Sequence, residues 1–214
     1  MARSLSHTQR HAVEAAYLRF LTQVPPGTLW VFGYGSLMWS PDFPNTAAHP
    51  ALLRGYHRAL CIYSTHYRGT PQRPGLVLGL RTGGACHGIA FRVHRADAKE
   101  ALRTLWDREM LNLVYQPRFV PVTLRGDDSV HGQRVHALTF TANPGHAQYA
   151  HGLSLERTAQ MVAQGRGKRG ANITYVDNTL QHMQVLGVQD HKLTHVLQRA
   201  KTLRRRLSTR VETD

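Results

Sequence analysis

The segment Thr28-Leu-Trp-Val-Phe-Gly-Tyr-Gly-Ser-Leu-Met-Trp39 constrains this chain more than any other stretch. Leu29 to Phe32 are all bulky, apolar or aromatic, the pattern of a strand covered on both faces. That strand runs straight into Gly33-Tyr34-Gly35-Ser36, a turn with few side chains. Two glycines one residue apart leave the backbone free to adopt φ > 0, and they let a ligand come within hydrogen-bond distance of successive N–H groups. A turn poor in side chains is rich in donors, and this one is placed at the rim of a core.

The chain's 214 residues bound what can surround that turn. The length suits one good-sized domain, with residues 1–27 as an N-terminal helix and lead-in, 28–207 as the domain and 208–214 as a flexible tail. Hydrophobic residues make up 42% and charged residues 19%, and no repetitive tract interrupts them, so a packed core is affordable along nearly the whole length. The first residues carry charge but no apolar stretch, and no apolar run approaches the ~18 residues of a membrane span. Cys61 and Cys86 are too few for a disulfide framework. These features point to a soluble chain in the cytoplasm with no membrane partner.

A formal net charge of +14 raises nucleic acid as a partner. The basic residues are spread along the chain, however, with dense clusters only at Arg166-Gly-Lys-Arg169 and at Lys201, Arg204, Arg205, Arg206 and Arg210. Zinc-finger spacing, an RNP-like aromatic strand and a clear helix-turn-helix are all missing. A field of this sign equally favours a small anionic substrate, and nucleic acid is the less favoured partner.

Periodicity predicts a first helix capped by Ser6, with Val13, Ala16, Tyr17, Phe20 and Leu21 on one face and Pro25-Pro26-Gly27 as its stop. Strands are expected at Leu29 to Phe32, Leu52 to Tyr63, Leu76 to Leu80 and Cys86 to Val93, with Thr82-Gly-Gly-Ala85 as a hairpin turn between the last two. A helix from Ala96 to Met110 precedes strands at Phe119 to Leu124 and Val135 to Thr141, and helices follow. Hairpins with few helical crossovers imply an α+β fold: a small, mostly antiparallel barrel flanked by helices.

The helix from Ala96 carries the second informative feature. Ala98, Leu102, Leu105 and Trp106 make its apolar stripe, and position 109 falls on that stripe. It is Glu109. Glu100, Arg103, Thr104 and Asp107 occupy the opposite face. A carboxylate on a buried stripe costs several kcal/mol unless protonated, paired or useful, and desolvation raises its pKa. A raised pKa suits a general base at neutral pH. The plainer alternative is a helix-end glutamate that snorkels outward or pairs with Arg108.

Other matches carry less. Gly165-Arg-Gly-Lys-Arg-Gly170 satisfies G-x-G-x-x-G, but it follows a helix beginning near Ser154, with no βαβ unit around it, and is read as a loop. His7 and His11, and His191 and His195, are spaced i, i+4 without an evident third ligand, so no metal is expected. Cys86 is read as packing.

Several blocks resemble the ChaC family of glutathione-specific γ-glutamylcyclotransferases: Val31 to Leu37, Cys61 to Leu80, Gly88 to Val93, Leu105-Trp-Asp-Arg-Glu-Met110 and Gly170-Ala-Asn-Ile-Thr-Tyr175. They run in order from about Trp30 to about Leu197. The resemblance implies the γ-glutamylcyclotransferase-like fold, a mixed small barrel opening at the glycine turn. It implies cleavage of glutathione into 5-oxoproline and Cys-Gly, with Glu109 as proton acceptor. Val31, Phe32, Gly33, Tyr34, Gly35, Ser36 and Leu37 would bind the γ-glutamyl part, with no cofactor or metal.

The residues suit that chemistry. The substrate's own α-amine attacks its γ-carbonyl, so the protein supplies a fold for the glutamyl chain, a base and an oxyanion stabiliser, and needs no nucleophile of its own. Arg68 and Arg73, in a polar loop after a strand, are candidates to clamp a substrate carboxylate, against a solvated loop. Asn172 and Tyr175 match the family's Gly-x-Asn-x-x-Tyr pattern and are further candidates, against a core tyrosine with a satisfied hydroxyl. A monomer or weak dimer is expected. The alternatives are a cyclase of other γ-glutamyl amines and a basic nucleic-acid-binding protein using the C-terminal helix.

Overall fold

Leu29–Gly33, β1, has a neighbour on each side, which is why its side chains are apolar throughout. In the computed structural model, which describes residues 7–110 and 112–211, it pairs antiparallel with β3 (Gly75–Val93) from Leu29↔Val93 to Gly33↔Ile89. On its other edge it runs parallel to β5 (Arg134–Ala142) at Trp30↔Ala137 and Val31↔Leu138. Val31 and Phe32, which point to opposite faces of the strand, are both fully buried. With β2 (Ala47–Ser64) and β4 (Tyr115–Leu124) the strands close in the order β1-β3-β2-β4-β5, with β3 also meeting β5. The barrel is mixed and mostly antiparallel, as the strand spacing suggested.

The strands are longer than periodicity foretold, and one expected turn is absent. Thr82 to Ala85 does not reverse the chain: β3 is continuous for 19 residues through Gly83 and Gly84, whose φ values are +92° and +72°. Glycines at positive φ inside a strand make a bend or bulge as readily as a hairpin, and only the partner strand decides which. Here β2 bends as well, at Gly55 (φ +85°), and the His57 ring lies 2.9 Å from the Gly83 carbonyl.

The chain divides into two compact units, Met1–His57 with Thr82–His146 and Arg58–Arg81 with Ala147–Asp214. In the first, α1 (His7–Leu21) lays Tyr17 and Phe20 on Trp106 of α2 (Ala98–Glu109), and Phe20 also stacks on Phe119. The face expected for α1 is the one it buries, while its expected cap, Ser6, lies outside the described residues. The second unit packs α3 (Leu155–Gln164), α4 (Asn172–Val185) and α5 (His191–Val211) around Val162, Val176, Met183 and Ala200. Ser154 caps α3 by accepting from the Arg157 amide, and Glu156 pairs with Arg199 of α5. The Gly165–Gly170 segment is a two-residue-per-strand hairpin, β6 (Arg166–Gly167) with β7 (Gly170–Ala171), where a plain loop was expected. Of the tail expected over 208–214, the last three residues lie outside the described ones, and α5 reaches Val211.

Candidate active site

Gly33 ends β1, and after Tyr34 and Gly35 the chain tightens into a 3-10 turn, Ser36–Met38. Neither glycine takes a positive φ, so left-handed freedom is not their use. Gly33 is needed for space: a Cβ there would sit 3.0 Å from the Leu37 Cβ and 3.2 Å from its carbonyl carbon. Gly88, on the neighbouring strand, makes room in the same way, since a Cβ on it would meet the Gly33 oxygen at 2.3 Å and the Phe32 ring at 2.7 Å. The turn is thus closed by backbone lying directly on backbone.

Most side chains of this segment face inward. Val31, Phe32, Tyr34 and Leu37 are buried, and the Tyr34 hydroxyl donates to the Phe140 carbonyl at 2.8 Å. Thr139 Oγ1 donates to the Phe32 carbonyl at 3.0 Å. What remains for a ligand is the exposed Ser36 and the amides of Gly35, Ser36 and Leu37, which have no acceptor among the described residues. Fixed, unspent N–H groups are what an anion or a developing oxyanion needs.

Glu109 is the last residue of α2, whose buried stripe is Ala101, Leu102, Leu105 and Trp106. Its side chain is 18% exposed. Burial pushes the carboxyl above the usual glutamate range, and Arg108 beside it pulls less strongly the other way. The outward face carries the ordinary surface ion pairs of Arg103 with Glu14 and Asp107. The carboxylate is largely out of water and also faces Arg108, Nε to Oε1 at 3.2 Å.

Sequence reasoning treated Arg108 only as a partner for Glu109, and the structure gives it a larger place. Its Nη2 donates to Ser36 Oγ at 2.8 Å and its Nη1 to the Ser40 carbonyl at 2.6 Å and to the Asp42 carboxylate. One guanidinium thus ties the end of α2 to the turn after β1, and brings Glu109 into the same cluster as Ser36. The one sequence hint was an arginine next to an inward-facing glutamate.

The other candidates gather in the second unit. Asn172 is fully buried and acts as a strand neighbour for Leu76, its Oδ1 accepting from the Leu76 amide at 2.7 Å and its Nδ2 donating to the carbonyl at 2.8 Å. Both ends of its side-chain amide are thus committed to the β3 backbone. The Tyr175 hydroxyl accepts from the Leu78 amide at 3.3 Å, and Arg68 lies over the ring at 5.2 Å while donating to the Arg169 carbonyl. Arg73 is exposed in the Thr70–Arg73 turn. Gly167 of β6 passes so close to the 66–69 loop that a Cβ would lie 2.5 Å from the His66 oxygen, while Gly170 of β7 takes a positive φ of +93°. Neither cysteine forms a disulfide and both are buried; burial pushes the Cys61 thiol up to about 12, which makes it a poor nucleophile. Among the described residues no three His, Cys, Asp or Glu side chains form a metal-ligating group.

A family model described as ChaC-like protein matches residues 29–203. The glutathione-specific γ-glutamylcyclotransferase of Escherichia coli is 36% identical over 83% of this chain and 74% of its own length. Glutathione-specific γ-glutamylcyclotransferase 1 of Homo sapiens is 31% identical over 83% of this chain and 81% of its own. A crystal structure of a yeast γ-glutamyl cyclotransferase specific to glutathione superposes with a TM-score of 0.74 at 21% identity, covering 83% of this chain and 97% of that one, which supports the fold. With a family model matching across its barrel and its helices, the chain belongs to the ChaC-like family.

Proposed function

We propose that this protein cleaves glutathione into 5-oxoproline and Cys-Gly, with Glu109 as the group that moves the proton. The α-amine of the glutamyl residue is mostly ammonium near pH 7 and cannot attack until it loses a proton. Glu109 takes that proton, the free amine adds to the γ-carbonyl carbon, and a new C–N bond closes the five-membered ring. The tetrahedral oxyanion draws on the unspent amides of Gly35, Ser36 and Leu37. Protonated Glu109 then returns its proton to the cysteinyl nitrogen and the old C–N bond breaks; the ring nitrogen gives up its second proton through Glu109 to the departing amine, leaving a neutral lactam and Cys-Gly as its ammonium form. No water is consumed and no atom is gained or lost.

The observation that carries this reading is one side chain. Glu109 is a carboxylate with a raised proton affinity, held through Arg108 within one cluster with the donor-rich turn. A group poised to accept and return a proton at neutral pH requires that environment. The relatives' names supply the substrate. A cytoplasmic setting, where glutathione is kept reduced, accords with two free cysteines.

The test is product analysis with the purified full-length protein, reduced glutathione and no added metal. Equal amounts of 5-oxoproline and Cys-Gly are expected. Cyclisation of other γ-glutamyl amines with glutathione left intact would replace this proposal with the broader cyclase reading, and no cyclisation at all would reject both.

A further inference from the structure

A general-base mechanism needs Glu109, yet Arg108 spends all three of its nitrogens beside it. Nε forms an ion pair with Glu109 Oε1 at 3.2 Å, while Nη2 donates to Ser36 Oγ and Nη1 to the Ser40 carbonyl and the Asp42 carboxylate. A guanidinium is planar and rigid, so groups bound at its three corners are fixed relative to one another, which an ammonium cannot do. Its anchors flank the 3-10 turn, with Ser36 at its start and Ser40 and Asp42 just beyond its end. Asp42 is itself held, at φ +57° and by Ser40 Oγ at 2.7 Å. The ion pair runs through Oε1 of Glu109, and no hydrogen bond to the carboxylate is formed among the described residues, which leaves Oε2 open to a ligand.

We infer that Arg108 is a positioning residue: its fork clamps Oε1 of Glu109 to the Ser36–Asp42 segment and so makes Oε2 the oxygen that takes the substrate's proton. The inference rests on the general-base reading above. It also explains why the cation does not simply turn Glu109 into a strong acid. Part of the guanidinium's charge is answered by Asp42, and burial outweighs what remains. The charged groups facing Glu109 are Arg108 from its own helix and, behind it, Asp42 from the segment after the turn; Gly33 to Leu37 bring none.

Two substitutions in the full chain separate geometry from charge. Arg108→Lys keeps the cation and loses the fork, and Arg108→Gln loses both. Turnover of glutathione to 5-oxoproline is expected to fall about 100-fold in each, the order of loss that follows a small misplacement of reacting groups. KM should change far less than kcat, because the clamp acts on the proton acceptor. The acid limb of kcat/KM against pH should move to higher pH in Arg108→Gln and stay in place in Arg108→Lys, whereas a residue that only supported the fold would lower stability and leave the limb alone.

A second readout needs no turnover. The chain has five glutamates, so carbon-13 carboxyl labelling resolves Glu109, assigned by its disappearance in Glu109→Gln. Its titration midpoint should rise in Arg108→Gln. Should that variant fold poorly, Asp42→Asn probes the same coupling from an exposed side chain and should lower the midpoint. Turnover of Arg108→Lys within about twofold of the parent, or a midpoint unmoved in the folded variant, overturns the inference. If the parent enzyme releases no 5-oxoproline, the functional proposal falls, and the NMR midpoint still decides whether Arg108 governs Glu109.

Discussion

Glu109 at the end of α2 and Asp190 at the start of α5 are both carboxylates drawn largely out of water beside an arginine, one in each unit. Asp190 is 13% exposed and faces Arg58, 4% exposed, at 3.1 Å through Oδ2. Its Oδ1 accepts from the Leu193 amide at 3.0 Å, capping α5. Both oxygens are spent, and the negative charge lies at a helix N-terminus, where the backbone dipole favours it. Glu109 has the opposite setting. It ends its helix, where the dipole opposes a negative charge, and among the described residues its carboxylate accepts no hydrogen bond. A fully bonded buried carboxylate holds structure together, and a half-bonded one, kept at a cost to stability, marks a place where chemistry can be done.

The sharpest way to break that contrast is to neutralise each carboxylate in turn. Glu109→Gln keeps the shape and removes the proton acceptor. Release of 5-oxoproline should fall by about 1,000-fold or more, within the range ascribed to a positioned base, while circular dichroism stays that of the parent. A variant that retains a tenth of the activity would leave Glu109 no special status. Asp190→Ala should do the reverse. It leaves Arg58 buried without its carboxylate and uncaps α5, and the expected loss is about 3 kcal/mol in urea unfolding. The pH profile of the molecules that remain folded should not move, and if it does, Asp190 is more than a cap.

Asn172 extends the comparison to a neutral group. Its amide stands in for a missing strand neighbour of Leu76, so Asn172→Ala strands a buried N–H and a buried carbonyl together. About 2 kcal/mol of stability should be lost, measured by the same denaturant titration. A loss below about 0.5 kcal/mol would mean that water replaces the amide, and that the site is wetter than its burial indicates.

These contrasts were only partly legible beforehand. The buried strand at Leu29–Phe32 and the inward glutamate could be read because each is a local departure from a period, visible in one segment. The barrel's order and the continuity of β3 could not, because Gly83 and Gly84 suit a bend and a hairpin equally and the choice lies with β2. The role of Gly33 was misjudged for a similar reason: glycine serves both for positive φ and for close approach, and only Leu37 packed against it separates the two. The reach of Arg108 to Ser36, Ser40 and Asp42 is tertiary, and no spacing in the chain encodes it.

The smallest expected effect tests the thermodynamic side of the contrast. Because the folded state raises the proton affinity of Glu109, folding binds a proton more readily than the unfolded chain does. Stability from this group is therefore fully present at pH values below the ordinary carboxylate range. It is lost as pH climbs through that range to the raised folded value, and beyond it the loss is constant. Glutamine carries no such charge. The melting temperature of Glu109→Gln should thus match the parent near pH 4 and exceed it by a few degrees at pH 8, the gap opening in between. The lost Arg108 contact works against this gain, but Arg108 keeps Ser36, Ser40 and Asp42, and burial is the larger influence on the carboxyl. A glutamine variant that melts below the parent at pH 8 and level with it at pH 4 would show Glu109 to be held as favourably as Asp190, and the distinction between a structural and a reactive carboxylate in this molecule would not stand.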